Sequence, residues 1–416
     1  MDGDRERGDR ERVNRRDSDD GKDKARKMSP VVMTVHLGLF LYALCFFIQN
    51  STLPYLTKKL GVDPVMFGYL ETTFALFQLA GGPLFGRYGD LFGSGSALIL
   101  AFASSAMTYA LLGVSYTIPM LFFSRLPSLF MHAMQASQMV VTDVSDKQAR
   151  ADGLGKLGVP YGAGVVVGPF VGGLVTKYSG EQTAALVAAA ISVLAIFIVF
   201  TMIPRNNKKP SSIPKEAPND SKKSLIDLGK WKSIIVQPGA MKLLGVKIVI
   251  GFPLGAFQSM FALIAMNHFK LEPHQNGYVM SYIGVLMLLV QGFGIGVLIK
   301  RFSEKNLILW SNFVLIWTWL SMSFITSIYQ WCIISIPQVF GIAIQQTVIS
   351  SALTKTVPDT DTGAMLGLNM AIHSIIRSLS PTLGGFLLQS YGFPAFGYFG
   401  CAISISVFTY LYSTNK

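Results

Sequence analysis

Apolar runs punctuated by turn residues and charges dominate this chain. Twelve can be marked out, at 31–53, 65–85, 96–115, 117–140, 157–176, 183–203, 241–266, 276–299, 306–327, 330–352, 363–388 and 394–413. Each approaches the ~20 residues that carry a helix across a bilayer core. The pattern therefore predicts an all-α integral membrane protein with twelve transmembrane helices. The longest polar interruption, 204–240, is rich in Pro, Ser and Lys and splits the spans six and six. The expected organisation is a tail at 1–29, a six-helix bundle at 30–203, a linker at 204–240 and a second six-helix bundle at 241–416.

The two halves echo each other. Phe67-Gly68-Tyr69-Leu70, opening the second span, matches Asn276-Gly277-Tyr278-Val279, opening the eighth. Leu98-Ile99-Leu100 matches Leu307-Ile308-Leu309 at the same offset of 209. Gly168-Pro169-Phe170-Val171-Gly172-Gly173 recurs in the eleventh span as Ser380-Pro381-Thr382-Leu383-Gly384-Gly385, at an offset of 212. A repeated six-helix unit is what an alternating-access transporter needs, because two bundles must rock around a site near the membrane midplane.

Composition agrees. Hydrophobic residues make up 51% and charged residues 14%, and the mean hydropathy is +0.45. That is too apolar for an ordinary soluble protein. Cys45, Cys332 and Cys401 each stand alone in an apolar run, so neither a disulfide framework nor a metal site is expected. The net charge of +12 does not signal nucleic acid, because the basic residues of the 1–29 tail are interleaved with acidic ones and no apolar pattern accompanies them. The tail reads as disordered and is not a signal peptide. With the N-terminus inside, 28 of the 35 Lys and Arg fall on the cytoplasmic side, four outside (Lys58, Lys59, Lys177, Lys270) and three within spans. The imbalance predicts that both termini are cytoplasmic.

The intramembrane charges are few. Arg125 lies in the fourth span, Lys247 in the seventh, Arg377 in the eleventh, and Glu71 in the second is the only carboxylate well inside a span. Such residues are functional candidates by default. Glu71 reads either as a proton-coupling acid or as an ion-pair partner of Arg125 at similar depth. Asn369, His373 and Arg377 recur at i, i+4 and i+8, so they share one helical face. That stripe lines either an aqueous cavity or a helix–helix seam. Lys247 is expected to snorkel to the cytoplasmic surface. Gln49, Asn50, Gln78, His132, Gln135, Gln138, Gln258, Gln291, Gln345 and Gln346 are further cavity candidates. His36, His132 and His373 carry the side chain that titrates nearest neutral pH when unperturbed. Phe46, Phe47, Phe74, Phe77, Trp317 and Trp319 offer rings for an organic cation, or simply face lipid and core. Gly153-x-Gly155-x-x-Gly158 lacks the strand that a nucleotide fingerprint requires. No plausible nucleophile–base pair is present, so an enzyme is not expected.

The stretch Gly155–Gly173 fits G-x8-G-x3-G-P-x2-G-G through Gly155, Gly164, Gly168, Pro169, Gly172 and Gly173. It resembles the antiporter motif in the fifth helix of the drug/proton antiporters of the major facilitator superfamily. The motif reads as the close-packed side of a seam between the bundles, with its tightest packing unique to the fifth helix. Gly86, Asp90 and Gly93, in the loop after the second span, resemble that superfamily's cytoplasmic signature. The resemblance implies that Asp90 latches against the start of the eleventh span near Gly363. Leu91, Ser94 and Gly95 stand where basic residues are usual, which leaves Asp143 short of its usual partner.

Three segments, FGYLETTFALFQLAGGPLFGR, SRLPSLFMHAMQASQMVVTDVS and DTGAMLGLNMAIHSIIRSLSPTLGG, resemble an outlier of solute carrier family 22. That resemblance implies a proton-coupled exporter of organic cations and lipophilic amines at a plasma or internal membrane. The short connection at 54–64 departs from the large extracellular loop of mainstream members. The implied partners are a small-molecule substrate, protons and membrane lipid, with the proton gradient as energy source and no cofactor. The chain is expected to act as a monomer, with cytoplasmic partners possible at the 204–240 loop. Two alternatives stay open: an organic anion or zwitterion carrier using the intramembrane arginines, or a transporter-shaped scaffold or sensor.

Overall fold

The computed structural model describes residues 30–145, 150–203, 235–237, 239–358 and 361–414. The expectations for the tail and for nearly all of the 204–240 linker fall outside the described residues.

The described chain makes twelve helical passes. The first three are α1 (Pro30–Lys59), α2 (Pro64–Phe92) and α3 (Ser94–Gly113). The fourth is broken into α4 (Ile118–Phe123), a 3-10 turn (Leu126–Phe130) and α5 (Ala133–Val144). A short α6 (Arg150–Lys156) leads into α7 (Gly158–Ser179), and α8 (Glu181–Met202) ends the first half. The second half holds α9 (Ala240–Asn267) and α10 (Pro273–Leu289), which passes through a π turn (Val290–Gly294) into α11 (Ile295–Arg301). It closes with α12 (Glu304–Met322), α13 (Ile328–Thr354), α14 (Thr362–Tyr391) and α15 (Pro394–Thr414). Among the described residues, seven helices are long and apolar enough to cross a membrane by length and composition alone. The other passes are interrupted, as in the fourth and eighth, or carry polar side chains along their length.

The break in the fourth pass has a local cause. Pro127 has no N–H to donate and its ring clashes with a continuing helix, so the chain tightens into the 3-10 turn. Gly81 of α2 fits against that turn, because a side chain there would collide with the Leu129 carbonyl. The Met131 carbonyl is bonded by Tyr42 Oη at 2.9 Å and Gln78 Nε2 at 3.2 Å.

The segment after the second span is helical rather than a loop. α2 runs through Gly86 and Asp90 to Phe92, and Gly93 alone, at φ +90°, separates it from α3. Only glycine adopts that backbone conformation freely.

α1 starts, and α15 ends, at one face of the bundle, here called the terminal face. The halves touch at the other end. Among the described residues, five hydrogen bonds join them: Tyr55 Oη to Leu271 O at 2.9 Å, Asn276 Nδ2 to Ser51 O at 3.1 Å, Val65 N to Gln389 Oε1 at 3.2 Å, Thr72 with Thr382 at 2.8 Å, and Ser281 Oγ to Val166 O at 2.6 Å. An apolar cluster also crosses there, packing Leu53, Leu56, Phe67 and Leu70 with Phe257, Met260, Phe261 and Ile264.

Two seams carry this contact, α2 on α14 and α7 on α10. In the first, Gly68 abuts the Pro381 carbonyl and Gly385 abuts the Pro64 carbonyl. In the second, Gly277 abuts the Pro169 carbonyl and Gly173 abuts the Pro273 carbonyl. Two of the repeats found in the sequence, those at Gly68/Gly277 and at Pro169–Gly173/Pro381–Gly385, are therefore the closing surfaces themselves. Offsets of 209 and 212 map each glycine and each proline of one half onto its counterpart in the other.

The glycine stripe of the fifth pass corrects one expectation. Gly164, Gly168 and Gly172 pack on α1 of the same half, against Ala43 and Leu44, Phe47, and Ile48 with Ser51. Only Pro169 and Gly173 of the motif reach the seam, and Gly155 faces open space. The stripe and the seam lie on different faces of α7, because four-residue steps hold one face while Gly173 is turned by one residue.

Nor is the tight packing confined to α7. In the second half, Gly251 and Gly255 of α9 lie against Ile376 and Ser380 of α14, and Gly384 lies against the Ala256 carbonyl. The close approach is kept, with two of its glycines moved to the partner helix.

Candidate functional site

A cavity of about 470 Å³ lies between the halves, sealed at one end by the seams and reaching Lys247 and Ser350 towards the terminal face. Its first-half wall is made by Phe46, Phe47 and Asn50 of α1, Glu71, Phe74 and Ala75 of α2, and Tyr161 of α7. Its second-half wall is made by α9, α13 and α14, with Lys247, Gln258, Ser259, Gln345, Gln346, Ser350, His373 and Arg377 as the polar members.

Glu71 and Arg125 meet. Arg125 Nη2 stands 3.6 Å from Glu71 Oε1, and the guanidinium lies 5.6 Å from the centre of the Phe74 ring. The two ends of the pair differ in access. Arg125 is 3% exposed and does not line the cavity, whereas Glu71 is 21% exposed and does. The carboxylate is thus a wall residue backed by a buried cation. Arg125 is the residue just before the 3-10 turn, and Ser128 Oγ donates to its carbonyl at 2.6 Å.

The polar stripe on α14 faces the cavity rather than a buried helix seam. His373 and Arg377 line it and are exposed to it. Asn369, one turn towards the terminal face, accepts a hydrogen bond from Lys247 Nζ. Lys247 therefore turns inward, half-buried, instead of snorkelling outward as the sequence suggested. The attraction of an amide oxygen on the neighbouring helix accounts for the difference.

Several expected cavity residues do other work. Gln78 is spent on the Met131 carbonyl. Gln49 is 5% exposed inside the first half, and its side-chain amide has no hydrogen bond among the described residues. Gln135 lies beside Gly86, where a Cβ would come within 3.0 Å of its Nε2. His132 packs at a tilt against Phe85, with ring centres 5.3 Å apart. Gln345 lines the cavity but also donates to Asn312 Oδ1 at 3.1 Å, and Asn312 in turn holds the Ser404 carbonyl at 2.7 Å. Trp317 is exposed on the outside of the bundle and Trp319 is buried in the second-half core. Tyr161, Ser259 and Ser350 were missed. Tyr161 falls inside the glycine motif, three residues before Gly164, and its polar ring in a run of small residues was the available signal.

At the terminal end, Asp143 is satisfied by an unexpected donor. Ser94 Oγ donates to its Oδ2 at 2.6 Å, so the residue that replaces a usual base in the signature is itself the partner. Arg150 instead donates to the Thr142 carbonyl at 3.1 Å. Asp90 is exposed on the last turn of α2.

Comparison with known proteins agrees with this architecture. A family model described as Major Facilitator Superfamily matches residues 35–265 and 243–416. The human protein Solute carrier family 67 member A1 is 37% identical over 398 residues, covering 94% of each chain. Mouse Solute carrier family 22 member 18 is 37% identical over 387 residues, covering 92% of this chain and 95% of its own. Among solved structures, the nucleoside transporter NupG superposes with a TM-score of 0.73 at 15% identity, over 94% of this chain and all of that one.

Proposed function

The chain belongs to the major facilitator superfamily and is a multi-pass secondary transporter, a carrier rather than an enzyme; from that premise we propose that it exchanges small organic molecules for protons by rocker-switch alternating access. Organic cations and lipophilic amines are the substrate class we assign first. The observation that carries the reading is Glu71. It is the only carboxylate on the cavity lining among the described residues, and it is open to the cavity on one side and paired with Arg125 on the other.

The exchange follows from that geometry. An ionised Glu71 balances a buried guanidinium, and breaking a buried pair costs ~3–5 kcal/mol. A proton or an amine arriving at the exposed oxygen competes for the same charge, so one leaves as the other enters. The rings of Phe46, Phe47 and Phe74 supply cation–π contacts beside it. The seams at the far end then part while the terminal face closes, bringing Asp90 towards the start of α14, where a carboxylate at a helix N-terminus contributes ~0.3–1 kcal/mol.

The terminal face is the cytoplasmic one, following the Lys and Arg distribution, in the plasma membrane or an internal membrane. The protein acts as a monomer, the proton gradient supplies the energy without a cofactor, and the basic 204–240 loop contacts anionic lipid and any cytoplasmic partners. Proteoliposomes with an imposed pH gradient test the reading. Gradient-driven uptake of a fluorescent lipophilic cation is expected, is lost in Glu71→Gln and is partly kept in Glu71→Asp. Uptake that survives Glu71→Gln intact removes Glu71 as the coupling acid.

A further inference from the structure

The cavity divides its charge between its walls. The first half contributes the one carboxylate and four aromatic rings, and the second contributes every cation: Lys247, Arg377 and, when protonated, His373. Among the described residues, neither Lys247 nor Arg377 has a carboxylate partner. Lys247 donates to the neutral amide of Asn369, and Arg377 makes no hydrogen bond or ion pair among the described residues. Glu71 does not cancel them, because Arg125 already stands 3.6 Å behind it. Two positive charges therefore face the cavity uncompensated.

Their placement is ordered. Asn369, His373 and Arg377 follow one another along a single face of α14 at ~6 Å per step. Lys247 is held at the first of these positions and Arg377 occupies the last. His373 lies between, one turn from each position. Arg377 and Glu71 line the same cavity from opposite halves, so the negative and positive poles face each other across it.

We propose that the second-half stripe is an anion seat, and that the transported amine is amphoteric. Its carboxylate, sulfonate or phosphate rests at His373 between Lys247 and Arg377, its amine reaches Glu71, and its apolar body lies on the Phe46, Phe47, Phe74 and Tyr161 wall. A simple organic cation meets the Glu71 pole but leaves the opposite wall's charge unanswered. The inference rests on the cavity being the transport site proposed above.

Charge-selective thiol labelling tests it without knowledge of the natural substrate. Ser350, on the cavity lining, becomes the single cysteine after Cys45, Cys332 and Cys401 are changed to Ala in the full chain in nanodiscs. The labelling rates of anionic sulfonatoethyl and cationic trimethylammonioethyl methanethiosulfonate are compared with those of a free thiol. A wall with surplus positive charge raises the anionic-to-cationic rate ratio at least ~10-fold, and Lys247→Met with Arg377→Gln returns it towards the free-thiol value. A ratio at or below the free-thiol value, or one unmoved by those changes, overturns the anion seat. Failure of both reagents to label overturns the cavity as a water-accessible path, and with it the transport reading beneath. Protection of Ser350→Cys by three matched aromatic compounds, 4-(aminomethyl)benzoate, benzoate and benzylamine, tests the amphoteric assignment. The amphoteric acid is expected to protect most, and Arg377→Gln to weaken protection by both acids while sparing benzylamine. Benzylamine protecting as well as the amphoteric acid, or none of the three protecting, overturns that assignment.

Discussion

At the scale of single residues, the Glu71–Arg125 pair shows how an isolated charge in an apolar run is readable and how its neighbours are not. Both residues stand out in the sequence because a charge in a membrane span needs a reason. The structure places them 3.6 Å apart, one buried and one on the cavity wall. The glutamines were harder. Gln78 and Gln135 look equally suited to a cavity, but the Pro127 break diverts them, Gln78 to the Met131 carbonyl and Gln135 to the side of α2 at Gly86. A regular helix drawn through 117–140 gives no hint of that. The pair also carries a stability prediction. Glu71→Ala leaves the guanidinium buried without its partner and lowers stability by ~3 kcal/mol. The double change Glu71→Gln with Arg125→Gln recovers most of that loss, because it removes the unpaired charge as well. Thermal melting of the purified protein checks the comparison, and a double variant no more stable than Glu71→Ala contradicts it.

At the scale of helices, the packing of α7 on α1 and of α14 on α9 solves one problem in two ways. Both pairs need close backbone approach. The first places Gly164 and Gly168 on α7 against Ala43 and Phe47 of α1. The second places Gly251 and Gly255 on α9 against Ile376 and Ser380 of α14. The sequence motif reveals the first arrangement and conceals the second, since a motif counts glycines on one helix while packing depends on the sum of two facing residues. The swap is testable. Gly255→Ala puts a Cβ 2.8 Å from that of Ser380 and 2.5 Å from its hydroxyl, and is expected to cost ~1–3 kcal/mol by overpacking. Ser380→Gly in the same chain returns the glycine to the side it occupies in the first half and should restore the melting temperature. A double variant as unstable as Gly255→Ala alone would show that total volume at the crossing is not the governing quantity.

For the whole molecule, twelve passes in two halves are readable from the apolar runs and the repeats. Which end of the molecule is closed is not, because the repeat marks contact surfaces without saying when they touch. Here they touch at the end away from the termini, where the two seams make the same pair of glycine-to-proline-carbonyl contacts. Matching patches that swap roles across an axis are the geometry of an isologous dimer. The second half meets the first as one copy of a six-helix ancestor would meet another. Joining two such units costs or saves only loop-closure entropy, which changes by ~0.6 kcal/mol for each doubling of loop length. Cutting the chain between Ile203 and Gly239 and co-expressing the two parts should therefore yield a complex that co-purifies and retains transport. Halves that fold in the membrane but fail to find each other would show that the tether, and not the seams, holds the molecule together.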